Sequence, residues 1–222
     1  MTDNSTSQIS IPRLILVPSI ITLAVTLLRL VGELQHWPSA LFNREAGGPL
    51  SIVGIAWLPL IFGPYFALKL AGSGESVPGA GRIIGFALLS LVIVFCGGFL
   101  GSGLKAEFPG KLLIGLLLMI AGVLVPFWGW KALAKVLIAY GYAARIPVLI
   151  VMYFAFRGNW GTHYDAIPPN FPQDLPFWNK FFQLAVVPQM VIWIAFTLIT
   201  GSLLGRIAIA LTRRSKPVHQ PA

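Results

Sequence analysis

Arg145 lies near the middle of a long apolar stretch, Ala134 to Phe156, and Pro147 follows two residues later. An arginine at that depth in hydrocarbon costs about 2.5–3.5 kcal/mol on insertion scales, so it turns toward a bundle interior or a water-filled cavity. Pro147 removes a backbone donor and frees the carbonyl of Ala143, adding a second polar group nearby. The pair of residues points to an anion or substrate site in a polar cavity. The structural alternatives are an interhelical hydrogen-bond anchor or a displaced span boundary.

Arg29 and Glu33 stand one helical turn apart near the end of the first apolar block. At that spacing they can pair along one helix face, and Arg29 can reach along the helix toward the interface. Glu33 is the one carboxylate within any apolar block, which also makes it the acidic candidate partner for Arg145, from a shallower depth.

His36, Glu45, His163 and Asp165 fall in two polar loops. Together with Glu33 they have the side-chain types of a general base at a membrane surface, or of a histidine/carboxylate metal site. Their spacing does not favour a metal. There is no His-x-x-x-His or His-Glu-x-x-His, and the closest grouping is His163-Tyr164-Asp165. Interfacial hydrogen bonding is the plainer reading, and neither a metal nor a cofactor is expected. The candidate binding residues are thus Arg145, Glu33, Arg29, His36, Glu45, His163 and Asp165, with no residue assigned to catalysis.

Other resemblances to catalytic motifs are weak. Ser102 and Lys105 have the Ser-x-x-Lys spacing, but chance supplies about 0.4 such pairs in a chain with this many serines and lysines. Gly98 to Lys105 looks like a phosphate loop, yet its lysine is one position late and no Ser or Thr follows it. No Gly-x-Ser-x-Gly occurs.

The elements that must hold these residues are dictated by composition. Of 222 residues, 56% are hydrophobic and 10% charged, and the mean hydropathy is +0.80. Soluble domains carry about 25% charged residues, and a chain of this size has too little interior for so much apolar surface. A soluble enzyme, a disordered tail and a disulfide-stapled secreted module are excluded. The formal charge of +9 would suggest nucleic acid in a soluble protein, but here the cations cluster at the ends of apolar blocks. No nucleic-acid partner is expected. Cys96, the single cysteine, sits in an apolar block and reads as a small buried hydrophobe. The apolar blocks are each about 20 residues long, enough to cross roughly 30 Å of hydrocarbon. The fold class is all-α, a polytopic bundle in the lipid bilayer.

Six spans are expected, at about 14–34, 50–71, 82–104, 112–130, 134–156 and 184–211, with five spans as the alternative. The fourth and fifth blocks nearly touch, and a single helix of their combined length would overrun the bilayer. A break is therefore placed at Gly129-Trp130-Lys131, where Trp128, Lys131 and Lys135 mark an interface. Residues 1–13 form a tail without signal-peptide features, whose Asn4-Ser5-Thr6 sequon is discounted as cytoplasmic. Residues 212–222 form a basic tail. Nine loop and tail cations fall on the side of the termini against five on the other, which predicts both termini in the cytoplasm.

The opposite face carries the loops 35–49 and 157–183. The second is long and rich in aromatics and proline, with Phe177 to Phe182 expected as an interfacial segment. Gly81…Gly85, Gly97…Gly101 and Gly201…Gly205 have the spacing of close helix packing, either within the chain or in a homo-oligomer. No internal repeat of the kind many transporters have is evident.

The expected function is a non-enzymatic membrane module that binds or passes a small solute or lipid, or supports a membrane complex. The alternative is a small membrane-embedded enzyme with a histidine/carboxylate site at the outer interface. A bacterial inner membrane is the expected location, on compact size and short tails.

Overall fold

Proline opens several of the helices, because its fixed φ suits the first turn and its missing N–H would have no partner there. A computed structural model of the chain describes residues 10–46 and 51–214. The long helices are α1 (Ile11–Leu34), α2 (Leu58–Gly72), α3 (Ala80–Gly98), α4 (Lys111–Leu124), α6 (Lys131–Gly158) and α8 (Trp193–Arg214). Short α5 (Pro126–Gly129) and α7 (Phe177–Phe181) complete the set. Pro12, Pro59 and Pro126 lie in the first turns of α1, α2 and α5. A π-helical turn, Phe99–Gly103, prolongs α3. Two more, Phe182–Val186 and Pro188–Ile192, join α7 to α8.

The molecule is a polytopic helical bundle with its apolar residues turned outward as well as inward. Five helical stretches are long and apolar enough to cross a membrane: Ile11–Leu34, Ala80–Gly103, Lys111–Gly129, Lys131–Gly158 and Phe177–Thr212. Large hydrophobic residues line their outer faces, with Phe95 at 72% and Leu113 at 59% exposure. Lipid is the solvent in which such a surface is stable.

Contacts fix the helix directions. Gly63 meets the backbone of Gly201, and Ala67 meets Gly205, so α2 and α8 run parallel. Thr22 meets Tyr140, while Thr26 and Arg29 share a cavity with Arg145, so α1 and α6 run parallel. By contrast, Leu137 packs on Gly201 and Arg145 reaches Gln189, making α6 and α8 antiparallel. Gly97 on Gly115 and Ser90 on Gly122 make α3 and α4 antiparallel as well. Helix α2 thus returns across the bundle opposite to α1.

The expected span boundaries need three corrections. The second block does not begin at residue 50. Its helix starts at Leu58, where Pro59 sets the first turn, and residues 51–57 form non-helical turns. Fifteen residues give α2 about 22 Å, less than a full bilayer crossing. The last helix begins earlier than residue 184: Phe177 to Phe182 continues into it through the π-helical turns. The first begins at Ile11, inside the expected tail. The break before Lys131 stands where length requires it, since Trp130 leaves helical geometry at φ −145° and ψ 95°. Asn4-Ser5-Thr6, residues 47–50 and most of the basic tail lie outside the described residues.

Two of the three glycine spacings are packing sites. Gly97 and Gly101 face Gly115, Gly205 faces α2, and Gly201 faces Leu137 of α6 while its backbone lies against Gly63 of α2. Gly81 and Gly85 have nothing within 4 Å of where a Cβ would stand and make no such contact. Cys96 is exposed on the outer face of α3 beside Phe95, not buried as expected, because the α3–α4 contact uses the neighbouring Gly97.

Candidate functional site

Helix α1 turns a polar stripe inward. Thr22, Thr26, Arg29 and Glu33, spaced by three or four residues, are all buried. Each threonine hydroxyl donates to the carbonyl four residues earlier, Thr22 to Pro18 at 2.8 Å and Thr26 to Thr22 at 2.9 Å. The outward positions are large and apolar, for example Leu23, Leu27 and Leu28.

Glu33 organises one end of the bundle. Its Oε1 accepts from Arg29 Nε at 2.7 Å, and its Oε2 accepts from the backbone N–H of His163 at 2.9 Å. His163 Nδ1 lies 2.6 Å from Oε1, a close electrostatic contact without the alignment of a hydrogen bond. Arg29 Nη2 donates to the carbonyl of Asn43 at 3.1 Å. The buried pair of Glu33, 1% exposed, and Arg29 therefore ties α1 to both loops at this end.

The long loop is shaped to turn His163 and Tyr164 toward the bundle. Helix α6 ends at Asn159 in left-handed geometry (φ 48°), and Gly161 follows at φ 67°, a value glycine adopts without strain. Asp165 then accepts from the N–H groups of Gly161 (2.9 Å) and Thr162 (2.8 Å) and from the Thr162 hydroxyl (2.6 Å). The turn so closed sends Tyr164 into the bundle at 3% exposure, where its hydroxyl donates to the Thr26 carbonyl at 3.1 Å.

Between α1, residues 54–56, α6, this loop and the π-helical part of the last span lies a cavity of about 550 Å³, within the size range of small-molecule sites. Its polar lining residues are Thr26, Arg29, Arg145, His163, Tyr164 and Gln189, and most of the rest are aliphatic. Arg145 is 4% exposed. Its Nη1 donates to Gln189 Oε1 at 3.2 Å, and its guanidinium sits 4.3 Å from the centroid of the Trp193 ring. Among the described residues no carboxylate pairs with it. Glu33, the acidic partner suggested for it by sequence, is already held by Arg29 and His163.

Burial pushes the His163 imidazole below its ordinary pKa, and the Arg29 charge adds to that, while Glu33 pulls the other way. The net direction is down, so the ring is neutral at neutral pH. Burial likewise raises the Tyr164 phenol, although the nearby arginines oppose it.

The structure brings Arg29, Glu33, His163 and Arg145 to one cavity or its immediate wall, and leaves the other candidates out. His36 is exposed, with its Nδ1 3.0 Å from the carbonyl of Leu34, and Glu45 is exposed on its loop. Asp165 is used within its own turn. No group of three His, Cys, Asp or Glu side chains gathers among the described residues. Charge-based sequence reasoning passes over Thr26, Tyr164, Gln189 and Trp193. The available signals were the Thr22/Thr26/Arg29/Glu33 periodicity and the amide of Gln189 inside an apolar block.

Fold and site together define a multi-pass α-helical membrane protein with a cationic cavity toward one end. No family model, no curated protein and no solved structure matches the chain.

Proposed function

We propose that the protein is a non-enzymatic membrane module that holds a small anionic solute or lipid in the cavity beside Arg145. One observation carries this reading: a guanidinium buried within a span, facing a cavity, with a neutral amide and an indole ring as its partners. A purely structural arginine in lipid is expected to meet a carboxylate or several carbonyls, whereas one that awaits an anion keeps part of its donor set free. The proposal places the cavity end on the outer side of a bacterial inner membrane, with both termini in the cytoplasm. The excess of cations on the terminal side and the opposed directions of the first and last helices, α1 and α8, support that orientation.

The test is a thermal shift of the detergent-purified protein against a panel of anions and matched neutral compounds. Anions are expected to raise the melting temperature of the wild type and not of Arg145→Gln. A panel in which no anion shifts the wild type refutes the reading.

A second reading, a small membrane-embedded enzyme, draws on the contact between Glu33 and His163 at the cavity wall. A carboxylate beside an imidazole is the arrangement of an oriented general base. His163→Ala separates the two readings. An enzyme keeps ligand binding and loses turnover in the variant, while a binding module shows no turnover in either form.

A further inference from the structure

The cavity mixes polar and apolar lining, and its charges can be counted. Its lining includes the polar Arg29, Arg145, His163 and Gln189 and the apolar Val25, Ile55, Val148, Met152, Leu184 and Pro188. Arg29 is neutralised by Glu33 at 2.7 Å, and the carboxylate of Asp165 is taken up by three donors of its own turn. His163 is neutral, and so is Tyr164. Among the described residues Arg145 alone is left without a counter-charge, so the uncompensated charge they place at the cavity is a single positive one.

A doubly charged phosphate would leave one negative charge unbalanced in a largely apolar enclosure, and a neutral ligand would leave Arg145 unbalanced. A small hydrophilic anion would match the charge but leave the aliphatic lining against water. We propose that the ligand is an amphiphilic monoanion, its one negative charge seated on Arg145 and Gln189 and its apolar body against the wall formed by Ile55, Val148 and Met152. This rests on the anion-binding reading above and narrows it to a chemical class. A carboxylate on an acyl chain and a phosphodiester lipid share that chemistry.

The π-helical turns at Phe182–Val186 and Pro188–Ile192 are consistent with a built site. Such turns widen the helix and redirect side chains, often at functional positions, and here they set Gln189 within 3.2 Å of the guanidinium.

The experiment is calorimetric titration of the full chain, purified in dodecyl maltoside at pH 7.5. The probes are dodecanoate, acetate, inorganic phosphate, dodecanol and a short-chain phosphatidylglycerol. Each buried methylene is worth about fourfold in affinity, so three of them give about 60-fold. Dodecanoate is expected to bind at least about 50-fold more tightly than acetate or phosphate, and at least about tenfold more tightly than dodecanol. Arg145→Gln should lose that advantage over dodecanol. Met152→Gln, which keeps side-chain length and leaves Arg145 in place, should weaken dodecanoate at least about fivefold with no effect on acetate, and it decides the matter if Arg145→Gln fails to fold. Phosphatidylglycerol binding more tightly than dodecanoate would identify a lipid headgroup as the source of the charge, and the reverse order a free carboxylate; either supports the class. Acetate or phosphate binding as tightly as dodecanoate overturns the amphiphile but leaves the anion site standing. Dodecanol binding as tightly as dodecanoate overturns both.

Discussion

Glu33→Gln should be the most costly single-charge change in the molecule. The Glu33 side chain has 0% exposure and its Arg29 partner 10%, so the pair is held almost wholly out of water. Removing one member of a buried pair costs about 3–5 kcal/mol, because the other charge stays behind unpaired. Arg29 keeps its bond to the Asn43 carbonyl and touches the cavity, which places the expected loss near the lower end, about 3 kcal/mol. Glutamine retains one oxygen for either Arg29 or the His163 N–H, but its amide then faces the other donor. On the scale of soluble domains of this size, about 2–4 °C per kcal/mol, the melting temperature falls by about 6–12 °C. The assay is thermal unfolding in maltoside, followed by near-ultraviolet circular dichroism and by protease sensitivity of the 159–176 loop, which should be cut sooner. The decisive comparison is the double variant Arg29→Met/Glu33→Gln. With both charges gone no ion is stranded, so the double variant should be more stable than Glu33→Gln alone by about 2 kcal/mol. A single variant that melts within 3 °C of the wild type, or a double variant worse than the sum of its parts, would refute the claim that Glu33 acts as the buried tether.

Gly63→Ala places a Cβ against the backbone of Gly201, which cannot yield. The cost should exceed about 2 kcal/mol or abolish the folded species on gel filtration, whereas Gly81→Ala, pointing into open space, should stay within about 0.5 kcal/mol. Because the folded state lowers the His163 pKa, it binds fewer protons than the unfolded chain, and stability rises with pH in that window. The stability advantage of wild type over His163→Gln should therefore shrink as pH falls from about 7.5 through 6.5 and level off below the folded value. Glu33, Arg29, Asp165 and Tyr164 surround the ring in both proteins, so a difference that grows on acidification contradicts the assignment. Arg145→Met trades an insertion cost of about 2.5–3.5 kcal/mol for the loss of one amide bond, about 0.6 kcal/mol in a membrane, and a ring contact of about 1–2 kcal/mol. It should leave the melting temperature unchanged or a few degrees higher while removing the anion response. A loss above about 2 kcal/mol would make Arg145 a structural anchor.

The bundle was legible in the sequence because lipid imposes its requirement locally. Every crossing must satisfy its own backbone within one helix and clothe it in apolar side chains, so hydropathy over about 20 residues locates the helices without knowledge of their neighbours. The break at Trp130 followed from length in the same way. The stretch before Leu58 was misread for the converse reason. Residues 51–57 are as apolar as a helix but form turns, of which Gly54, Ile55 and Ala56 line the cavity, and nothing in their composition distinguishes the two uses. The start of the last helix was misplaced because the prolines and aromatics of 168–182 look like loop, while Phe177 and Phe181 in fact pack on Tyr153 of α6.

The candidate site was half legible, and the division follows sequence separation. Arg29 and Glu33 could be paired because one helical turn joins them, and Arg145 stood out because charge is rare at its depth. The contact from Glu33 to His163 spans 130 positions, and Arg145 to Gln189 spans 44; no local pattern encodes either. Ranking residues by charge also favoured His36, Glu45 and Asp165 over Thr26, Tyr164 and Gln189, although in hydrocarbon a hydroxyl or an amide is conspicuous too. Read by periodicity, the stripe of Thr22, Thr26, Arg29 and Glu33 already names the inward face of α1. Arg145 shares a cavity with Thr26 and Arg29 of that stripe: α1 and α6 run parallel, and residues of both line it, while Gln189 and Trp193 of the last span hold the guanidinium. A chain that needed only to pack would have closed this space with leucine, as it does around Leu133, Leu137 and Leu198. Keeping a guanidinium there, with a lone carboxylate committed to its neighbour, has a physical rationale if something negatively charged comes and goes.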